Sequence, residues 1–366
     1  MRVVLAEHHR YDSPLKVGSH QIADLLRPRV DELVWLSHPR SRFHRVLGPL
    51  APLSRRHPDG VREVVLRPIA PYLRFPLLDT VGWGRRWLRS TQAARRRIRR
   101  LVGERCDLFW ISDFTCLGLL DELSCGSVVF RFFDRLDQFP WMPRSIYALA
   151  RRYRDRADAV LASSRSVQRH LAAEGIAAEY LPNGARLPPE AERRAAVASV
   201  RDRLVVYVGA VAEWFDLATV ELWARSLPGT AFVVAGPVSV RVGEIPPNLR
   251  FVGPVPYEDV HGLLSRARAG IIPFRRTPLT DGIHPLKLYD YLAAGCPVVS
   301  ADLPEVAPVP GAVEVYRTPQ EGLERLAACL TGPVDRERLV ELAAASSWES
   351  RLGGLLERLG VPGRGR

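Results

Sequence analysis

The sequence predicts an α/β protein built from two doubly wound domains. Three observations carry that prediction. Short apolar runs alternate with helical stretches along the chain, the runs are apolar continuously rather than at every second residue, and a Pro/Ala/Glu/Arg-rich break divides the 366 residues near the middle. Continuous apolar runs mark strands covered on both faces, as in parallel sheets. Repeated β-α alternation is the pattern of sheets wrapped by helices, and a chain this long suits two domains better than one.

The elements follow in order. In the first half the runs are Val3–Ala6, Glu63–Leu66, Leu108–Ser112, Val128–Phe133 and Ala159–Ala162; in the second they are Leu204–Val208, Ala231–Ala235, Gly270–Pro273 and Pro297–Ser300. At four to six residues, rich in β-branched and aromatic side chains, they have the length of strands rather than helices. Helical stretches include Gln92–Val102, Arg144–Arg156, Leu217–Ser226 and Pro285–Ala294. The break follows Leu181-Pro182-Asn183-Gly184; Leu187-Pro188-Pro189 and a stretch to Arg203 precede a fresh strand at Leu204. The expected division is a first domain over 1–185, a linker over 186–203, a second domain over 204–345 and a terminal helix over 346–366.

Composition excludes several classes. With 47% hydrophobic and 25% charged residues the chain is neither disordered nor fibrous. Its 52 basic and 40 acidic side chains leave a net charge of +12, and all but two of the bases, Lys16 and Lys287, are Arg. So uniform a preference reflects the codon usage of a GC-rich genome, which makes a lysine more informative here than an arginine. The charge is lopsided: residues 1–200 hold 34 bases and 21 acids, residues 201–366 hold 18 and 19. A basic half points to nucleic acid, an anionic membrane or an anionic substrate, with an arginine-rich solvated surface as the plain alternative. Five scattered cysteines without a C-x-x-C or Cys/His cluster suggest neither a disulfide scaffold nor zinc. No apolar run approaches the ~18–20 residues of a membrane span, and Met1–Ala6 is too short for a signal h-region before His8 and His9. The expected location is the cytoplasm.

The most informative segment is His284-Pro285-Leu286-Lys287-Leu288-Tyr289-Asp290-Tyr291-Leu292-Ala293-Ala294-Gly295-Cys296-Pro297-Val298-Val299-Ser300. It reads as a short helix with Pro285 at its first position, Gly295 as its stop, and a strand after Pro297. Lys287 lies near the helix N-terminus, where free N–H groups and the dipole favour an anion. Asp290, three residues on, shares its face. A lysine for phosphate beside a carboxylate for vicinal hydroxyls is what a nucleotide-sugar site needs; a surface Lys–Asp pair is the bland alternative.

On these residues the chain resembles the GT-B glycosyltransferases, and among them bacterial polysaccharide enzymes of the xanthan glucuronosyltransferase and teichuronic-acid type, whose form here is P-x-K-x-Y-E-Y-L-A-x-G-x-P-V-V. The resemblance extends through Tyr207-Val208-Gly209-Ala210, Glu213-Trp214-Phe215-Asp216, Val234-Ala235-Gly236-Pro237, Leu249 to Tyr257, and Ile272-Pro273-Phe274, and is thinner in the N-terminal half. It implies two Rossmann-like domains facing across a cleft, an acceptor-binding one before a donor-binding one, with the terminal helix crossing back to the first. Trp348 there reads as a packing anchor. Lys287 would hold the donor diphosphate and Asp290 the ribose hydroxyls. Gly209 would let backbone approach the phosphates, a task suited to a missing Cβ, and Gly253 through Tyr257 would line the nucleobase pocket. Arg275 or Arg276 would help neutralise the leaving diphosphate. Asp290 replaces the usual Glu, and the second Glu of the large retaining family, eight residues earlier, is Gly282 here, with Asp281 adjacent. That departure favours inversion.

An inverting transfer needs a general base for the acceptor hydroxyl. In Phe130-Arg131-Phe132-Phe133-Asp134, Asp134 stands at a strand end, where α/β folds place ligands. It matches the Asp of the family's strand-end motif and is the first choice; an Asp capping the next helix is the alternative. His20, on a loop-to-helix turn with Lys16 close by, is the rival base. Between residues 84 and 105 nine Arg face one acid, Glu104, with Trp83 and Trp87 at the start. Arg85–Arg105 reads equally as a face for anionic lipid or as codon-driven solvated arginine; Arg151-Arg152-Tyr153-Arg154 would extend it.

The sequence therefore predicts a metal-independent glycosyltransferase without a cofactor. A nucleotide-diphosphate sugar, UDP-linked by preference, is the donor, and a sugar or lipid-linked hydroxyl is the acceptor. It would serve polysaccharide, glycolipid or glycosylated natural-product synthesis. A sugar-nucleotide epimerase would use the same diphosphate site, and a nucleic-acid-binding protein would explain the charge, although no helix-turn-helix, zinc-finger or stacking signature supports the latter.

Overall fold

A computed structural model describes residues 1–14, 16–38, 53–66, 92–139, 142 and 145–363. The chain divides into two compact units. The first comprises Met1–Ser13, Ser19–Pro182 and Leu352–Arg366, the second Pro14–Gly18 and Asn183–Arg351.

Unit 1 holds an eight-stranded sheet of β1 (Arg2–Glu7), β2 (Glu32–Ser37), β3 (Ser54–Arg56), β4 (Arg62–Val65), β5 (Arg105–Ile111), β6 (Ser124–Phe132), β7 (Ala159–Ala162) and β8 (Glu179–Tyr180), in the order β3-β4-β2-β1-β5-β6-β7-β8. Every pairing is parallel except β3 with β4. Its core packs Trp35, Trp110, Phe109, Phe130 and Phe132, all fully buried. Unit 2 holds a six-stranded, wholly parallel sheet of β9 (Leu204–Val208), β10 (Ala231–Ala235), β11 (Leu249–Gly253), β12 (Ala269–Ile272), β13 (Val298–Ala301) and β14 (Val313–Tyr316), ordered β11-β10-β9-β12-β13-β14. Counted from its own first strand this is the order 3-2-1-4-5-6, the doubly wound arrangement. In each sheet the strand order reverses beside the first strand, between β1 and β5 and between β9 and β12. Ligands of such sheets bind outside the carboxyl ends of the strands at that reversal.

β7, β9 and β10 and the helices Gln92–Val102 and Leu217–Ser226 span the residues read from the sequence. The stretch expected as a helix over Arg144–Arg156 is helical over Ile146–Tyr153, with a 3₁₀ turn to Arg156. The motif helix is Leu286–Ala293, and Pro285 caps it in an extended conformation instead of occupying its first turn. Gly295 ends it with φ +61°. β11 and β14 fall outside the continuous apolar runs because they are edge strands, in which fully buried residues mix with partly or fully exposed ones.

The last helix, Trp348–Arg358, starts in unit 2, and its residues from Leu352 onward belong to unit 1. Trp348 is 1% exposed and packs on Gly184, where a Cβ would come within 2.8 Å of the Trp348 backbone. No helix among the described residues is long and apolar enough to cross a membrane.

Candidate active site

In unit 2 the site grows from the carboxyl ends of β9 and β12. Tyr291, on the motif helix, accepts a hydrogen bond from the Val208 amide at 2.9 Å and donates to the Ile271 carbonyl at 3.3 Å. One hydroxyl thus ties the helix to both strands that flank the reversal. Gly270 makes room for it, since a Cβ there would lie 2.6 Å from the Tyr291 ring.

One helical turn earlier, Lys287 Nζ donates to the Tyr207 hydroxyl at 3.0 Å and lies 4.2 and 4.7 Å from the ring centroids of Tyr207 and Phe274. Burial among these rings pushes the amine down to about 7, with Asp290 acting the other way. Gly209, at φ +139°, closes the arrangement, because a Cβ would sit 2.7 Å from Nζ. A cation held at a strand end by aromatic faces, in the first turn of a helix, has the charge and placement that an anionic group such as a diphosphate needs.

Asp290 accepts a hydrogen bond from the Tyr257 hydroxyl at 3.1 Å. Burial raises its carboxyl to about 6, against the opposing pull of Tyr257, Arg186 and Lys287. Both side chains line a cavity of about 310 Å³ together with Arg186, Glu192, Glu258 and His261. The Arg186 guanidinium lies 5.2 Å from the Tyr257 ring centroid. Gly253 ends β11 at φ +73°, its carbonyl accepting from the Gly236 amide at 2.8 Å. Arg275 is half-exposed and turned toward Asp216, at 3.8 Å. Arg276 and the adjacent Asp281 pair with each other at 2.7 Å. Asp216 also caps the helix Leu217–Ser226 through Thr219.

In unit 1 the strand ends gather a second set of groups. Asp134 follows β6 and is raised to about 7 by burial, in spite of the nearby Arg131 cation. Arg131 is itself buried, its charge felt by both Asp134 and Glu7. Glu7 ends β1, also stands near 7, and accepts from the Ser112 hydroxyl at 2.8 Å. A carboxyl poised near neutrality at a strand end has the pKa a general base requires.

Beside these, His38 Nδ1 lies 2.7 Å from Asp113 Oδ2, and His8 Nδ1 lies 3.7 Å from Asp113 Oδ1. The donor atoms of the three are within 4.8 Å of one another, a spacing that invites a metal. Both Asp113 oxygens are already engaged, however, Oδ2 by His38 and Oδ1 by the Thr115 amide and hydroxyl at 3.0 and 2.6 Å. Hydrogen bonding accounts for the cluster. Burial holds His8 neutral, down at about 4.

His20 is 3% exposed, its ring 4.6 Å from that of Trp35 and its Nε2 3.0 Å from the Arg10 carbonyl. It is embedded among aromatic rings instead of being presented on an open turn. Lys16 belongs to the short segment assigned to unit 2. Of the basic stretch, Trp83, Arg85, Arg86, Trp87 and Arg89 lie outside the described residues; Arg96, Arg99 and Arg100 are exposed and Ile98 and Val102 buried. The roles of Tyr291, Glu7 and Asp113 were not anticipated. Tyr291 stands in the motif, but only the fold shows which strands its hydroxyl reaches.

Comparisons with known proteins bear on the fold and the enzyme class. A family described as "Glycosyl transferase-like" matches residues 218–351. Over 108 residues the chain is 28% identical to a putative teichuronic acid biosynthesis glycosyltransferase, TuaH, of Bacillus subtilis (strain 168), a stretch covering 28% of this chain and 27% of that relative. The chain thus matches about a quarter of the curated relative's length. Among solved structures, a sucrose-phosphate synthase from Thermosynechococcus elongatus has a TM-score of 0.67 at 14% identity, covering 98% of this chain and 99% of that one. Anabaena Alr3699/HepE, solved with UDP and glucose, has 0.65 at 13%, covering 98% and 99%. A UDP-forming α,α-trehalose-phosphate synthase from Burkholderia xenovorans, solved with glucose-6-phosphate, has 0.65 at 13%, covering 98% and 100%. At such identities the likeness establishes the fold, GT-B.

Proposed function

We propose that this chain, a glycosyltransferase of the GT-B fold, moves a sugar from a UDP-sugar to an acceptor hydroxyl with inversion, in the assembly of a bacterial polysaccharide. The observation that carries the donor half is Lys287, held over Gly209 by Tyr207 and Phe274 at the strand-order reversal of unit 2, one turn from Asp290 and its cavity. Lys287 and the start of its helix would take the negative charge that develops on the leaving diphosphate, which leaves no task for a metal there. Asp290 would hold the ribose, and the cavity beside Tyr257 the base.

Unit 1 supplies the base. Asp134, near neutrality, takes the acceptor proton as the hydroxyl attacks the anomeric carbon and the bond to the diphosphate breaks. UDP is favoured by the nucleotide seen with HepE, and the polysaccharide setting by the teichuronic-acid relative. The basic stretch Arg85–Arg105, in which Arg96, Arg99 and Arg100 are exposed, fits an anionic membrane carrying a lipid-linked acceptor. Sedimentation with phosphatidylglycerol but not phosphatidylcholine vesicles is expected, and no sedimentation with either removes that contact.

A thermal-shift panel of UDP, GDP and TDP tests the donor, since a ligand of the native state raises its stability; a shift with GDP alone refutes UDP. Proton NMR of the product with a UDP-sugar reads the anomeric configuration. A retained anomer overturns inversion, and a new sugar isomer from donor alone overturns transfer in favour of epimerisation.

A further inference from the structure

The five cysteines are scattered in sequence, yet two of them meet in the fold. Cys106 in β5 and Cys125 in β6 are direct register partners on adjacent parallel strands. The Cys106 thiol donates to Cys125 Sγ at 3.4 Å. Neighbouring parallel strands run about 4.8 Å apart, inside the Cα separation of about 4.4–6.8 Å that a disulfide spans. The two thiols also differ in access: Cys106 is 5% exposed, whereas Cys125 is partly open.

We propose that Cys106 and Cys125 are an oxidation site, in which Cys125 reacts first with a low-molecular-weight disulfide and Cys106 then closes an intramolecular bond. The Cys106 S–H and the charge of Arg156 both favour the thiolate of Cys125, while donating that hydrogen bond and burial hold Cys106 as the thiol. A partly accessible thiolate beside a resolving cysteine is the arrangement of reactive redox pairs.

With glutathione disulfide, the Cys125 sulfur attacks one sulfur, the S–S bond breaks and one glutathione leaves as thiolate. Cys106 then attacks Cys125 Sγ and expels the second glutathione. Two electrons pass to the oxidant, and the two thiol protons end on the two glutathiones. The sulfurs close by about 1.4 Å to reach bonding distance. The other cysteines make the contrast. Cys116 and Cys296 are buried, and burial raises Cys329 to about 11. The pair lies at the amino ends of its strands, opposite the ends that carry Asp113 and Asp134.

The test is to incubate the folded full-length chain with glutathione disulfide, quench with acid, alkylate and map peptides by mass. A Cys106–Cys125 cross-linked peptide is expected, with both thiols lost to alkylation. In Cys106→Ser a lasting glutathione adduct should accumulate on Cys125; in Cys125→Ser, Cys106 should stay unmodified over the same time. A stable adduct on wild-type Cys125 without the cross-link overturns the proposal. So does a cross-link that forms only when urea has unfolded the chain, or no change at either cysteine. The wild-type map decides even where a variant folds poorly.

Discussion

Replacing Lys287 by Ala removes the cation that unit 2 holds against Tyr207 and Phe274. A charge-assisted hydrogen bond to a phosphate contributes about 1.5–3 kcal/mol, which at 1.4 kcal/mol per decade is a loss of about ten- to a hundredfold in donor affinity. The amine's environment adds a pH signature. Burial places it at about 7 in the free protein, and only the ammonium form binds the diphosphate. Wild-type affinity relative to the variant should therefore be greatest near pH 6 and fall by about tenfold by pH 8, as the free amine loses its proton. Fold stability moves the opposite way. The native amine lies below its ordinary value of 10.5, so the unfolded chain binds more protons between about 7 and 10.5 and wild-type stability rises with pH there. The variant lacks that rise and should melt no lower than wild type at pH 7, since Tyr207 keeps its bond to the Ala210 carbonyl at 2.8 Å. Calorimetric titration with a UDP-sugar at pH 6, 7 and 8 measures the ratio. Equal affinities, or a ratio independent of pH, refute the assignment.

Three further outcomes are expected. Asp134→Asn should lower kcat by about 10²–10⁴-fold with donor Kd unchanged. Wild-type kcat should rise with pH through about 7 as the carboxylate forms, and the residual rate of the variant should not. Gly209→Ala should retain the fold by circular dichroism but bind a UDP-sugar at least about tenfold more weakly, because its Cβ would meet Lys287 Nζ at 2.7 Å with φ at +139°. Arg131→Leu should cost about 3 kcal/mol in urea unfolding at pH 8, by leaving Glu7 and Asp134 without their buried cation. The cost should shrink at pH 6, where both carboxyls take up protons, and an equal cost at both pH values would show that packing alone is lost.

Much of the candidate site in unit 2 is legible in the chain. Pro285, Lys287, Asp290 and Gly295 mark a helix start, a cation, a carboxylate on the same face and a stop within eleven residues, because helix geometry and end effects are local. The continuous apolar runs likewise name most of the central strands, whose two covered faces demand such composition; β2, buried between β4 and β1, is missing from them. The edge strands β11 and β14 mix polar and apolar residues and are harder to read.

The strand-end cluster of unit 1 is less legible. Asp134 is nameable as a strand-end carboxylate, but Glu7, Asp113, Arg131 and Asp134 are up to 127 residues apart in sequence, and only sheet order brings their strand ends together. His20 shows the converse: its position on a turn suggests chemistry, while Trp35 and Tyr11, joined to it through tertiary packing, enclose its ring.

By itself the sequence determined the α/β class, the two-part chain and the Lys287–Asp290 pair. Each rests on composition or on spacing within one element. Tertiary structure alone decided that β9 and β12 lie side by side, so that Tyr291 spans them and Gly209 meets Lys287. It also decided which carboxyls stand near neutrality and which two of five cysteines touch. Those depend on desolvation and strand register, both set by partners distant in the chain.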